Sequence, residues 1–183
     1  MEASPPPSVT ASGDGVTEDG AACENRTVKI SLRPLAPQDL PGWLERSAAE
    51  YATDLVTLGA TPEDARRRAR ESLDRDFPGG RPTGGHAVFD LVDGSGASVG
   101  YLWVGPDASE DPAAWWVWDV VVDAEHRGAG YGRQAMLLGE DYARAQGAST
   151  LGLSVFGFNT SARGLYESLG YETTSVKMAK PLV

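Results

Sequence analysis

Residues 127–133 read Arg127-Gly128-Ala129-Gly130-Tyr131-Gly132-Arg133, and this segment can grip an anion with main chain alone. It follows an apolar run, Trp115 to Val122, and opens a helical pattern, Arg133 to Ala145. A turn between strand and helix offers free backbone N–H groups and the positive end of a helix dipole. Glycines at alternate positions let a pyrophosphate approach with no Cβ in the way. Arg127 and Arg133 could add charge, although exposed arginines are common. The chemistry implied is the holding of a phosphate-bearing ligand.

A second group with chemical promise is Asp119, the lone acid in Trp115-Trp116-Val117-Trp118-Asp119-Val120-Val121-Val122. A carboxylate in such a strand is costly unless it is paired or faces a cleft. Burial would raise its pKa towards that of a useful general base, acting directly or through water. Strict alternation groups Asp119 with Val117 and Val121, opposite Trp116, Trp118, Val120 and Val122, and a bulge would upset that grouping. A salt bridge or an edge position is an equally good account of Asp119. Glu50 is a second acid that could face an amine, or simply a solvated helix residue.

Other phosphate loops do not match. No Lys-Ser/Thr follows the glycines, as a Walker A loop requires. The third glycine falls one place early for a dinucleotide fingerprint. The spacing that fits is Arg127-x-x-Gly130-x-Gly132, then Asn159-x-x-Ala162-x-x-x-Tyr166-Glu167-x-x-Gly170-Tyr171. On these motifs, together with the Trp-Asp type strand and Val155-Phe156-x-x-Asn159, residues from about Val28 to Val183 resemble the GNAT superfamily of acetyl-CoA-dependent N-acetyltransferases, and small bacterial members in particular.

The resemblance implies a GNAT-type acyl-CoA N-acyltransferase fold and acetyl-CoA as co-substrate. It implies that Arg127, Gly128, Ala129, Gly130, Tyr131, Gly132 and Arg133 hold the pyrophosphate. It implies that main-chain groups of Val120, Val121 and Val122 pair with the pantetheine arm like an added strand, and that Asn159 binds that arm. The residue pattern alone would make Asn159 a helix cap, since Thr160-Ser161 follows. Tyr166 takes the role of general acid beside the thioester sulfur. A phenol with a pKa of about 10 stays protonated at pH 7 and suits a donor. The other account of Tyr166 is a core tyrosine seating its helix on the sheet.

The elements that must position these groups read β-α-α-β-β-β-α-β-α-β, an α/β fold with a mixed sheet. Val28–Arg33 alternates as a strand, and Pro37 opens a helix carrying Leu40, Trp43, Leu44, Ala48, Tyr51 and Leu55 at helical spacing. Thr61-Pro62-Glu63-Asp64 is an N-cap followed by proline and acids, so a second helix runs to about Asp76. Strands His86–Val92 and Ala97–Val104 flank the turn Asp93-Gly94-Ser95-Gly96. Ala113–Val122 is the fourth strand, Gly130–Gln146 the central helix and Thr150–Phe156 the fifth strand. Thr160–Ser168 forms a short helix, and Tyr171–Met178 the last strand. Trp43, Tyr51, Trp103, Trp115, Trp116 and Trp118 lie on elements that wall the acceptor side in this family, and ordinary packing claims most of them.

Composition narrows the class. The chain has 183 residues, enough for one domain with a tail. Residues 1–27 are rich in Pro, Gly, Ser, Thr and Ala and predict a disordered acidic tail; residues 28–183 predict the transferase domain. The formal net charge of −10 argues against nucleic acid and suits a cationic amine or ordinary solubility. No apolar run is long enough to span a membrane, and the N-terminus lacks the features of a secretory signal. Two histidines and a single cysteine, Cys23, point to no metal and no disulfide, hence a cytoplasmic enzyme. The partners expected are acetyl-CoA and a primary amine, with a homodimer as an open alternative. A small-molecule acceptor leads; a peptide N-terminus or lysine, a longer acyl chain, and a non-catalytic CoA-binding module are the alternatives.

Overall fold

The structure, a computed structural model, describes residues 29–109, 111–180 and 182. The expected tail, with Cys23, and Val28 lie outside the described residues. Five strands form one sheet in the order β1 (Ile30–Pro34), β2 (Ala87–Asp93), β3 (Ser98–Pro106), β4 (Ala114–Val122) and β5 (Thr150–Leu153). The first four pair antiparallel, and β5 runs parallel to β4. Parallel pairing needs a crossover, and helix α3 (Tyr131–Ala145) supplies it. Helices α1 (Leu40–Thr57) and α2 (Pro62–Asp76) precede β2, and α4 (Thr160–Ser168) follows β5.

Local chemistry accounts for the boundaries. Thr61 caps α2 by accepting from the Asp64 N–H at 3.2 Å, with Pro62 at the first helical position. The β2–β3 turn is closed by Asp93, whose Oδ1 accepts from the N–H groups of Ser95 and Ala97 at 2.8 and 3.1 Å.

The sheet carries a core on each face. One face buries Leu91, Leu102, Val104, Trp115 and Val117 against Ala135, Met136 and Ala143 of α3, with Tyr166 of α4 and Leu169 just after it packed at the margin. The other buries Val88, Tyr101 and Trp103 beneath Trp43 of α1 and Leu73 of α2, with Phe77 just beyond α2. Trp43 meets Tyr101 and Trp103 edge-on, with centroids 5.9 and 5.6 Å apart. Trp43, Trp103 and Trp115 are therefore core residues.

Two expected strand limits are corrected. β5 ends at Leu153 rather than Phe156. Residues 171–180 form no strand, against the expectation of a last strand over Tyr171–Met178. The segment Glu172-Thr173-Thr174-Ser175 offers no apolar face to bury, and Val176 and Met178 lie exposed. Among the described residues, no helix is long and apolar enough to cross a membrane.

Candidate active site

β4 and β5 pair only from Ala114 to Val117 on β4 and from Thr150 to Leu153 on β5. Beyond Val117 they part, and the β5-facing edge of β4 is open along residues 118–122. Which main-chain groups face this gap follows from the neighbouring ladder. The Asp123 N–H donates to Val99 O at 2.9 Å, so Asp123 and Val121 point towards β3. Val120 and Val122 point into the gap, and Val122 O accepts from Arg127 Nε at 3.0 Å. Of the expected trio, Val121 turns its main-chain groups to β3, while those of Val120 and Val122 face the gap.

The glycine loop follows the end of β4 and leads into α3. Gly128 and Gly130 have φ of +80° and +85°, a region open to glycine at no steric cost. A Cβ on either would meet nothing within 4 Å, so the turn borders free space. Gly130 is the N-cap of α3 and supplies no side chain, which leaves the first N–H groups of the helix uncapped by side chains. Ala129 is exposed beside them, and Tyr131 turns inward, 9 % exposed, against the core. Gly132, the second residue of α3, also meets a side chain of α4. Its missing Cβ would sit 3.2 Å from Leu165 Cδ2, so this glycine seats α4 on α3. Arg133 reinforces the same junction by donating to Ser168 Oγ.

Asp119 sits on the α1 face of the sheet. Trp103 pairs with Asp119 but Val104 pairs with Val117, so Trp118 is an extra residue, a β-bulge. The bulge rotates Asp119 onto the face of Trp118 and Val121, while Val117 stays on the α3 face. The simple alternation that grouped Asp119 with Val117 is overturned. Asp119 Oδ2 accepts from Ser47 Oγ at 2.8 Å and from Tyr101 Oη at 2.7 Å. Burial pushes the Asp119 carboxyl above the usual carboxylate range, and these two donors pull only partly the other way. Glu50 adds repulsion from α1. Glu50 itself is exposed and lies 3.6 Å from Arg46, whose guanidinium stacks 4.9 Å over the Tyr101 ring and pairs with Asp123.

Ser47 and Tyr101 were not singled out from sequence. A signal existed for Ser47: it falls four residues after Trp43, on the buried stripe of α1, and is 3 % exposed. Tyr101 had no such mark, since it alternates with Trp103 as a core residue does.

Tyr166 is partly buried on α4, with its ring 6.0 Å from that of Tyr171. Burial, and then the negative charge of Asp119, hold its phenol above the ordinary tyrosine value. Asn159 caps α4, its Oδ1 accepting from the Ala162 N–H at 3.1 Å. Its side-chain oxygen is therefore engaged locally. A depression between α1 and α2, lined by Ala48, Ala52, Arg66 and Arg70, includes neither Asp119 nor Tyr166.

This geometry has relatives. The model of the Acetyltransferase (GNAT) family matches residues 49–171. An uncharacterized N-acetyltransferase of Bacillus subtilis, YycN, is 30 % identical over 154 residues, covering 84 % of this chain and 99 % of that one. The crystal structure of YycN, a putative acetyltransferase, superposes with a TM-score of 0.78 at 31 % identity, covering 85 % of this chain and 99 % of that chain. A mycothiol acetyltransferase of Thermobispora bispora is 33 % identical over 151 residues, covering 80 % of this chain but 48 % of its own length.

Proposed function

This chain belongs to the GNAT acetyltransferase family, and from that premise we propose that it moves an acetyl group from acetyl-CoA to a primary amine of a small molecule, by direct attack in a ternary complex. The observation that carries the reading is the alignment of three features at one gap. These are the open β4 edge at Val120 and Val122, the side-chain-free N-terminus of α3 at Gly130, and Asp119, held by Ser47 and Tyr101 on the strand that borders the gap.

Acetyl-CoA supplies the acetyl group as a thioester. The N–H groups at the start of α3, with Gly128 and Gly130 leaving room, would hold its phosphates. The main-chain groups of Val120 and Val122 would hold the pantetheine arm as a short added strand. Asn159 is freer to contribute through its side-chain amide N–H₂, since its oxygen caps α4.

Asp119 is the base of this proposal. Most amines are protonated at pH 7, and an attacking amine must lose its proton. A carboxyl raised by burial takes up that proton more readily than an ordinary carboxylate. Ser47 and Tyr101 fix the orientation of Oδ2 and keep the anion satisfied. Tyr166, held protonated, donates to the departing sulfur.

A calorimetric comparison of acetyl-CoA with S-acetylpantetheine, which keeps the whole pantetheine arm, tests the phosphate assignment. The second thioester lacks the pyrophosphate. Acetyl-CoA binding at least about a hundredfold tighter is expected, since the charged contacts at a helix end are lost with the phosphates. Equal affinities would contradict it.

A further inference from the structure

Trp116 is a large aromatic that belongs to neither core of the sheet. Its neighbours Trp115 and Val117 both pack towards α3, so the Trp116 indole lies on the opposite face. In the ladder it stands between two glycines, paired with Gly105 on β3 and Gly152 on β5. Both glycines clear space for a ring. A Cβ on Gly152 would come within 2.3 Å of Trp116 Cζ3 and 2.5 Å of Cε3, so the indole leans flat across β5. A Cβ on Gly105 would come within 2.7 Å of His86 Nδ1, so the imidazole lies over β3.

The bulge adds a second indole to this face. Trp118 stacks on Trp103, with centroids 5.5 Å apart and planes 22° apart, and its Nε1 donates to Pro106 O at 3.1 Å. His86 closes the row, 5.5 Å from Trp118, with its Nδ1 accepting from Trp103 Nε1 at 3.0 Å. Trp118 is thus held by its stack on Trp103, Trp116 lies over Gly152, and each keeps part of its surface exposed. The row leads directly to Asp119, the residue after Trp118. Acids on α1 lie on the same side of the sheet: Glu50 acts on Asp119, and on Asp54 one turn further along. An aromatic floor with acid at its reacting end complements a cation with a flat apolar body.

We propose that Trp116 and Trp118 set acceptor specificity, and that the preferred acceptor is a primary amine carrying an aromatic group. The inference rests on the acetyl-transfer reading, in which the amine meets the thioester beside Asp119. Gly152 and Gly105 are positioning residues, required for the floor to lie flat.

The test uses the full chain, saturating acetyl-CoA, and three probes of equal charge: phenethylamine, tryptamine and n-butylamine. The aromatic amines should show kcat/KM about tenfold above n-butylamine. Trp116→Ala and Trp118→Ala should each raise KM for phenethylamine about three- to tenfold, the range of one aromatic pair, with a smaller effect on kcat. Trp116→Phe should recover most of the loss, and Gly152→Ala should reproduce Trp116→Ala. The Kd of acetyl-CoA should stay as in the wild type in all four variants. Equal kcat/KM for the three amines, or a loss that falls equally on all of them, overturns the proposal.

A binding measurement separates this failure from failure of the acetyl-transfer reading. Indole N–H resonances of Trp116 and Trp118, assigned from the single variants, should shift on addition of phenethylamine even if nothing turns over. Resonances that do not move overturn the floor. A dimer that Trp116→Ala dissociates would also overturn it, because a second copy would then occupy the floor.

Discussion

Tyr101 donates to Asp119 Oδ2 over 2.7 Å, from β3 to β4, and the contact exists because a single extra residue, Trp118, turns Asp119 onto the Tyr101 face. Ser47 reaches the same oxygen from α1 at 2.8 Å. Three elements therefore converge on one carboxylate at the mouth of the β4–β5 gap.

Asp119→Asn should lower kcat/KM about 10²–10⁴-fold at neutral pH, the span of general acid–base catalysis. It should also change how stability depends on pH. The folded pKa of Asp119 lies above its unfolded value of about 3.9, so the native state binds the extra proton between the two. The wild type loses that contribution as pH rises from about 4 through the raised pKa. Asn cannot titrate, so the variant should lack this loss. Melting temperatures of both proteins across that window check the sign.

Tyr101→Phe and Ser47→Ala each remove a donor from the charged form of Asp119. Its pKa should rise further in both, moving the acid limb of the kcat/KM profile to higher pH. Each variant should also cost about 1–3 kcal/mol of stability, the penalty for a buried acceptor losing a partner. An acid limb that stays in place would remove Asp119 from the rate profile.

Gly130 and Gly132, both expected to line the phosphate turn, should behave differently. Gly130→Asp puts a carboxylate into open space beside the helix N-terminus, at a φ of +85° that strains any side chain. Acetyl-CoA affinity should fall more than tenfold, by about 1.4 kcal/mol or more. Gly132→Ala instead presses on Leu165, so its effect should appear in melting temperature and far less in affinity. Calorimetry and thermal melts on the two variants separate the roles.

The contrast between these two glycines illustrates what sequence carries and what it does not. The loop was legible because its glycines lie between a strand and a helix pattern, all within a few residues. Which glycine borders open space and which meets a side chain depends on Leu165, far along the chain. The Thr61 cap and the Asp93 turn were legible for the same local reason. The bulge at Trp118 was not, because it is a property of the β3–β4 register. Ser47 and Tyr101 lie 72 and 18 residues from Asp119, and nothing local connects them to it. The strand expected at 171–178 does not form, because Tyr171 falls on the opposite face from Val176 and Met178 and no single apolar face is left to bury.

Tyr166→Phe should reduce kcat about 10²–10⁴-fold while leaving the Kd of acetyl-CoA close to the wild-type value. Because burial and Asp119 raise the phenol, the wild-type alkaline limb assigned to Tyr166 should lie above the ordinary tyrosine range. Full activity in the phenylalanine variant would take Tyr166 out of the mechanism.

The central claim is acetyl transfer at the β4–β5 gap, and its most direct measurement is thiol release from acetyl-CoA with parallel analysis of the amine by mass spectrometry, over primary amines and a short peptide. The account predicts thiol release only when an amine is present, one acetylated amine for each thiol, and a small amine preferred over the peptide. Thiol release with no acetylated amine, or none with any acceptor although acetyl-CoA binds, would contradict it.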